Sequence, residues 1–271
     1  MNWVLAAALI CGFSMDLTSC SNNSDNPVPA KKKYRLIQRL EITNDGDTII
    51  TDYGYDTQGR LETYVRVTFK PSETRVNANF TFTYGDHCII ERQLDNEYFY
   101  YTLNDDGLII KEENRTEIDK PSASLHTYQY ADGRLIAYQE SDNPVVSKLH
   151  WEDGDLMYYG REGLAGYVDK TEYTRTQLSV DHGFMTEPLG TMSDVLYMMG
   201  YYGKPSKHLE SHYKKEVQNQ LGLSTLIEFD YTYTLADGHI VKMVKESTIK
   251  MQVPLINKTS ILTATFAYEE Y

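Results

Sequence analysis

The chain has 271 residues, of which 24% are charged, and it carries a formal net charge of −13. Nucleic acids and anionic lipid head groups bind to basic surfaces, which a chain this acidic is not expected to have. We therefore expect neither as a partner. Its three cysteines exclude a disulfide framework, because Cys11 and Cys20 lie in the N-terminal segment and leave Cys88 alone.

Residues 1–19 have the pattern of an export signal. The apolar run over residues 4–13 is too short to cross a bilayer, but its length is typical of the apolar part of a signal peptide. It leads into LTSC at residues 17–20, which resembles the bacterial lipobox, whose cysteine receives lipid after cleavage. We therefore predict a lipoprotein signal peptide over 1–19 and lipidation of Cys20. The lipid anchor is predicted to be the only membrane contact, in the outer membrane, on its periplasmic or cell-surface face.

The sequence after the signal peptide divides into a tether and a single β domain. Residues 20–33 are polar and include two prolines, which predicts a flexible tether. Over residues 34–271, apolar and polar residues alternate with period two, and one apolar and one polar face are typical of antiparallel sheet. The run over residues 61–69 is predicted to collect on one face Leu61, Thr63, Val65, Val67 and Phe69.

Tight turns recur between the predicted strands. Asp-Gly pairs stand at residues 132–133, 153–154 and 237–238, where glycine accepts a positive φ at no steric cost. Turn glycines return at a spacing that indicates an internal hairpin repeat. They are Gly59, Gly85, Gly107, Gly133 and Gly154.

These signals predict an all-β fold. We expect a long antiparallel hairpin meander of roughly twelve to fifteen strands, counted from the alternating runs. Open sheets rarely stay flat beyond about ten strands, so the meander should close into a barrel or a strongly curved sheet. The first strand, near residues 34–42, is expected to meet the last, near residues 260–268, which removes both edges.

One helical insertion interrupts the repeat over about residues 183–222. Ser193 is predicted to cap a short helix that carries Val195, Leu196 and Met199 on one face. A second helical turn is predicted within residues 206–220. We expect the first helix to act as a plug or lid that buries Leu196 and Met199 inside the barrel. An ordinary helix packed on the outside of the sheet is the alternative.

Two turns carry a recognisable motif. YDTQGRL at residues 55–61 and YADGRL at residues 130–135 resemble the YD repeat of bacterial Rhs and related shell proteins. The pattern of the whole chain after Cys20 is similar to that of a Bacteroidetes lipoprotein family of unknown function with a porin-like β fold. The resemblance implies the fold and brings no catalytic residues. We do not expect a membrane-spanning barrel, because the alternate positions before Tyr271 lack the apolar pattern usual at the end of such barrels.

The sequence favours a binding protein over an enzyme. No nucleophile, metal or cofactor motif is present, so no catalytic residue, metal ligand or cofactor is predicted. The 23 tyrosines suit either cross-strand packing or the stacking of a ligand. The favoured function is a membrane-tethered envelope protein that binds a small ligand, sugar or peptide. Its candidate ligand-facing aromatics are Tyr158, Tyr159, Tyr201 and Tyr202.

The alternative function is a structural or protein-interaction module of the cell surface, with no small ligand. The interior of the barrel would distinguish the binding protein from the interaction module. A concave pocket lined by tyrosines, with polar groups converging in it, would favour the binding protein. A packed interior would favour the module.

Overall fold

A computed structural model describes residues 33–70, 73–93, 97–115, 124–141, 145–162, 168–179, 192–218, 221–252 and 255–271. Cys20, the predicted signal peptide and most of the predicted tether lie outside these ranges. No helix within them is both long and apolar enough to cross a membrane. The strands are β1 Tyr34–Thr43, β2 Thr48–Tyr55, β3 Leu61–Phe69, β4 Thr74–Gly85, β5 Cys88–Arg92, β6 Tyr98–Leu103, β7 Ile109–Arg115, β8 Ser124–Ala131, β9 Arg134–Glu140, β10 Val146–Glu152, β11 Asp155–Glu162, β12 Val168–Arg175, β13 Glu210–Gln218, β14 Ser224–Ala236, β15 His239–Met251 and β16 Ile256–Glu270, and the helix is α1 Asp194–Met198.

The strands form one closed antiparallel barrel in which each strand pairs with its neighbours in sequence. β1 closes the barrel against β16, with Tyr34 opposite Glu270 and Thr43 opposite Leu262. The predicted all-β meander, its closure and its single short helix are therefore confirmed. Sixteen strands are described, slightly more than the alternating runs indicated. Closure pairs both edges of the sheet, which leaves no open edge for another chain to extend.

The two ends of the barrel differ in their connections. We call the end with the β2–β3, β4–β5, β6–β7, β8–β9, β10–β11, β12–β13 and β14–β15 connections the turn end, and the opposite end the loop end. Three hairpins of the turn end close through the predicted Asp-Gly pairs. Asp132 and Gly133 have φ angles of 52° and 73°. Both residues of the pairs at 153–154 and 237–238 also have positive φ angles. Positive φ at both central residues is the mark of a type I′ turn, whose twist suits a hairpin.

A β-bulge follows several of these turns and corrects one prediction. Gly54 pairs with Thr63 while Tyr55 pairs with Leu61, so Glu62 is the extra residue in β3. A bulge shifts the alternation of side chains by one position. The prediction of a single face over residues 61–69 is therefore wrong after Leu61. After the bulge, the side chains that face inward are Tyr64, Arg66 and Thr68. Those that face outward are Thr63, Val65, Val67 and Phe69.

Aromatic side chains near the turn end form a recurring hydrogen bond. Each donates to a backbone carbonyl at the turn end of the preceding strand, and each acceptor residue is buried. This repeated contact gives four tyrosines and one tryptophan a packing role. The bonds run from Tyr55 to Leu36 (2.7 Å), Tyr84 to Leu61 (2.7 Å), Tyr130 to Ile109 (2.6 Å), Trp151 to Leu135 (2.7 Å) and Tyr268 to Ile240 (3.0 Å).

Helix α1 lies inside the barrel. The Ser193 side chain accepts from the Leu196 backbone N–H, as predicted for its cap. Val195 and Leu196 are at most 1% exposed and belong to the same core as inward residues from all around the barrel. Met199 packs against that core but is only half-buried. The predicted plug is thus the observed arrangement, and the alternative of an outer helix is wrong.

Residues 192–209, which we call the plug segment, are fastened to the hairpins of the turn end. The backbone N–H of Ile109 donates to the Tyr201 carbonyl at 2.9 Å, and that of Lys204 donates to the Gly133 carbonyl at 2.7 Å. Gly203 has a φ of 92°, and a Cβ there would lie 2.5 Å from the Gly133 carbonyl oxygen. The close approach therefore requires glycine. The second helix predicted within residues 206–220 is wrong, because strand β13 begins at residue 210 and pairs with β12 and β14.

Candidate functional site

A cavity of about 390 Å³ lies beside the first residues of the plug segment, on the loop-end side of α1. We call it the lumen cavity. It is partly open, and its volume falls in the range typical of small-molecule sites. Strands β3 to β7 and the plug segment supply its lining. The lining residues are Tyr64, Arg66, Ala78, Phe80, Glu91, Gln93, Phe99, Tyr101, Glu112, Met192, Ser193 and Asp194.

Two pairs of aromatic rings form the apolar part of this lining. Tyr64 of β3 stacks on Phe80 of β4, with ring centroids 5.4 Å apart and planes 19° apart. Phe99 and Tyr101 of β6 lie 6.5 Å apart with planes inclined by 17°. Alternation along each strand brings these side chains inward, and the β3 bulge gives Tyr64 its inward position. Flat, nearly parallel rings offer faces on which a ligand can stack.

Two glutamates from neighbouring parts of the wall reach the lumen cavity while almost fully buried. Glu91 accepts hydrogen bonds from the Tyr101 hydroxyl at 2.9 Å and from Gln93 at 2.8 Å. Glu112 accepts from Tyr128 at 2.5 Å. Burial raises the pKa of both carboxyls, and that of Glu112 reaches about 7 although the Tyr128 hydroxyl favours the charged form.

The plug segment adds a third carboxylate, Asp194, at the first residue of α1. Its Oδ1 accepts from the Val195 backbone N–H at 2.8 Å. The cap at Ser193 fixes the start of the helix and so directs this residue to the lumen cavity. Burial raises the pKa of Asp194, and the positive charge of Arg39 acts in the opposite direction.

The nearest basic side chains are engaged with a fourth carboxylate. Glu41, which is buried, contacts the guanidinium of Arg39 at 2.6 Å and that of Arg66 at 3.4 Å. By contrast, the hydrogen bonds that the described residues make to Glu91, Glu112 and Asp194 come from neutral groups. In their ionised forms, these three carboxyls therefore carry negative charge that their hydrogen-bond donors among the described residues do not neutralise.

The four tyrosines predicted to face a ligand lie elsewhere, and none of them lines the lumen cavity. Tyr158 is 39% exposed and stacks on His150, while its neighbour Tyr159 is buried in the core. Tyr201 stacks on Tyr84, and the hydroxyl of buried Tyr202 donates to Glu112 at 3.5 Å. Their contact with a ligand stays a prediction.

The residues that line the lumen cavity were not found from the sequence. One signal was present, because Glu91 stands two residues after buried Ile89 and thus shares its inward face. Glu112 gave no such signal. The register shift after Ile109 moves it from the outward to the inward side, and nothing local marks that shift.

A family described as a domain of unknown function (DUF4595) with porin-like fold matches residues 53–242. The fold is similar to that of a porin-like protein from Bacteroides uniformis, with a TM-score of 0.61 and 16% identity over 86% of this chain and 96% of that one. It is also similar to a porin-like protein from Bacteroides vulgatus, with a TM-score of 0.53 and 11% identity over 86% and 98% of the two chains. No curated protein matches. Since the family match spans more than half of the sequence, the chain belongs to the DUF4595 family of domains with a porin-like fold.

Proposed function

We propose that this chain is a lipid-tethered binding protein of the cell envelope that takes a small ligand, a sugar or a peptide, into the lumen cavity. The observation that carries the proposal is the lining of that cavity. It combines two aromatic pairs with a few polar groups that converge from several strands and the plug segment. Small-molecule sites are commonly built in this way, since rings supply contact area and polar groups fix orientation.

Substitution of Ala78 tests the proposal. Ala78 is buried in the cavity lining, so Ala78→Trp places an indole ring where the ligand would lie. The matched control is Ala267→Trp, at an exposed position on β16. We expect small sugars, dipeptides and amines, screened by ligand-observed NMR, to include a binder whose affinity Ala78→Trp lowers by about tenfold or more. A screen in which every binder tolerates Ala78→Trp would rule out the lumen cavity as the site.

The outer surface supports a tether rather than a spanning barrel. Outward side chains on several strands, some of them near the middle of the strand, are charged and pair with one another. A lysine or arginine facing lipid at the bilayer midplane costs about 2–4 kcal/mol, so these positions suit water. The pairs are Lys111 with Glu113 (3.3 Å), Lys170 with Glu172 (2.6 Å) and Lys250 with Glu228 (3.2 Å).

Cys20 is the proposed anchor. If lipid on this thiol is the only attachment, Cys20→Ala releases the protein into the soluble fraction after cell lysis, and radioactive palmitate no longer labels it. Cys88→Ala is the control, because Cys88 lies in strand β5 and takes no part in the proposed anchor. Retention of the Cys20→Ala variant in membranes would instead point to a barrel that inserts by itself.

A protein-interaction module is the second candidate function, and an apolar patch on the outer face of the barrel favours it. Ile42, Phe69 and Ile261 are 41–48% exposed. Thr48 pairs with both Ile42 and Phe69, which places these two side chains in one row across the same face of the sheet, on either side of Thr48. Under this alternative, Ile42→Lys removes a cross-linked partner on intact cells and Ala78→Trp does not.

A further inference from the structure

The fixed charges around the lumen cavity are unbalanced. Glu91, Glu112 and Asp194 line it, and Arg66 is the basic residue of the lining. The guanidinium of Arg66 is directed to Glu41, which it shares with Arg39. Counting all six groups in their charged forms, four carboxylates face two guanidinium groups. The cavity therefore carries a negative potential in its ionised state.

This imbalance has a cost in the empty cavity. Burial raises the pKa of Glu91, and the negative charge of Asp194 raises it further. Burial likewise raises the pKa of Glu112, to about 7, and the charge of Glu91 adds to the shift. Two buried carboxyls and the half-buried Asp194, all with neutral hydrogen-bond donors, stabilise the fold poorly, because buried charge needs a partner of opposite sign. A cation bound among them would be that partner.

The aromatic walls favour the same kind of ligand. The faces of Tyr64, Phe80, Phe99 and Tyr101 carry negative potential, and ammonium groups bind over such faces. The barrel already uses this contact elsewhere, since Lys245 lies 3.8 Å from the centroid of Phe229. Ring faces also hold the apolar part of a ligand by stacking and by burial of surface.

We infer that the lumen cavity binds an organic cation, a protonated amine or quaternary ammonium group attached to an apolar body. The ammonium lies among Glu91, Glu112 and Asp194, and the apolar body lies between the two aromatic pairs. This inference rests on the proposed function and names the chemical class of its ligand. It selects peptides and amines that present a positive charge over neutral sugars.

Three aryl probes of similar size and one sugar separate the ligand classes. Phenethylamine carries the cation, 2-phenylethanol is its neutral counterpart, 3-phenylpropionate is anionic, and maltose represents sugars. Titrated into the full-length protein and followed by saturation-transfer NMR, phenethylamine is expected to bind on the order of tenfold more tightly than 2-phenylethanol. One hydrogen bond to a charged group has about that effect. The anion and the sugar are expected to bind more weakly still.

Glu112 offers a matched pair of variants on one strand. Glu112 faces the lumen cavity, whereas Glu113 faces outward and contacts Lys111 and Arg115. We expect Glu112→Gln and Asp194→Asn each to weaken phenethylamine binding on the order of five- to tenfold, the effect of one charged contact. Glu113→Gln should leave it unchanged. Equal loss in Glu112→Gln and Glu113→Gln would contradict a local role for the cavity carboxylates.

The affinity for the amine should also rise between pH 6 and pH 8, as Glu112 loses its proton. The groups that face Glu112 are Tyr128, Tyr202, His126 and Glu91. Burial raises the pKa of Tyr128 and Tyr202, and burial lowers the pKa of His126, which lies 3.9 Å away. Burial raises the pKa of Glu91, and loss of its proton would increase the affinity for a cation in the same direction. An alkyl ammonium keeps its proton across this range. Binding of 2-phenylethanol, and of the amine to Glu112→Gln, should vary less with pH.

The outcomes separate this inference from the proposed function. If maltose or 3-phenylpropionate binds more tightly than phenethylamine, and Ala78→Trp abolishes that binding, the cavity is a site but the inferred class is wrong. If no probe binds, or if Ala78→Trp changes nothing, both proposals fail. Amine binding that is lost in Ala78→Trp and weakened in Glu112→Gln supports both.

Discussion

The turn end and the cavity side of the barrel interior are built from the same strands but are filled in different ways. At the turn end, the first inward residue after each of five bulged hairpins is aliphatic and at most 2% exposed. Along the same strands, beyond the bulge, the next inward row is varied. The first row contains Leu61, Ile109, Leu135, Leu156 and Ile240, and the second contains Tyr64, Glu112, Tyr138, Tyr159 and Met243.

The difference between the two rows indicates which part of the barrel stabilises the fold and which part would bind a ligand. The first row, the aromatic hydrogen bonds and the plug segment together close the turn end, and they repeat from hairpin to hairpin. The second row includes buried charge, which weakens a fold unless a partner neutralises it. Residues that lower stability in the empty protein are typical of binding sites. We therefore place stability mainly at the turn end and the proposed function in the lumen cavity.

The largest expected effect is on the plug. Leu196 is fully buried, so Leu196→Ala should lower the free energy of unfolding by about 2–5 kcal/mol, the range for a cavity left in a packed core. Met199→Ala should cost less, because its side chain is only half-buried. Urea unfolding followed by circular dichroism measures both. A Leu196→Ala variant as stable as wild type would show that the plug contributes nothing to the turn end.

A smaller effect is expected from the charge of Glu112. Its pKa in the folded state is raised by burial to about 7, above that of an exposed glutamate, so the folded protein holds a proton that the unfolded chain releases. The stability that this proton provides is complete below the unfolded pKa and is lost as pH rises through 7. The loss amounts to about 3 kcal/mol.

Unfolding measured between pH 5 and pH 8 tests this sign. Wild type should lose stability relative to Glu112→Gln as pH rises, because glutamine carries no charge. Glu113→Gln should run parallel to wild type, since Lys111 and Arg115 keep Glu113 ionised throughout this range. If Glu112→Gln loses stability with rising pH as steeply as wild type, ionisation of Glu112 is not the cause of that loss.

The smallest expected effect concerns the recurring aromatic bond. Tyr130→Phe removes the hydroxyl that donates to the Ile109 carbonyl at 2.6 Å, and should cost about 1 kcal/mol, the typical net value of one hydrogen bond. Tyr158→Phe is the control, because that side chain is partly exposed on the outer face. If thermal unfolding shows the same midpoint for both variants, the hydrogen bond contributes no measurable stability.

The parts of the fold that were predictable from the sequence have local causes. The Asp-Gly turns follow from the φ preference of two residues, and the helix start follows from the hydroxyl of Ser193. Barrel closure follows from the length of the meander. Each of these signals lies within a few residues or in the count of strands, and each is confirmed.

The parts that were missed depend on register and on distant contacts. The bulge at Glu62 exchanges the faces of β3, so an apolar run predicted to face one way faces the other. Tyr158 and Tyr159 were both candidate ligand-facing residues, and adjacent strand residues point to opposite faces, so Tyr158 is 39% exposed while Tyr159 is buried. The lumen cavity itself needs the first residues of the plug segment, Met192 to Asp194, to meet lining residues between Tyr64 and Glu112. No short sequence pattern encodes a contact over that separation.

The most direct test of the account is to locate a bound cation. Crystals grown with 4-bromophenethylamine allow the bromine to be found by its anomalous scattering. We predict one strong peak inside the lumen cavity, between the ring pairs Tyr64–Phe80 and Phe99–Tyr101, with the ammonium directed to Asp194 and Glu112. A bromine peak on the outer surface, or an empty cavity at a saturating concentration of the amine, would contradict the account.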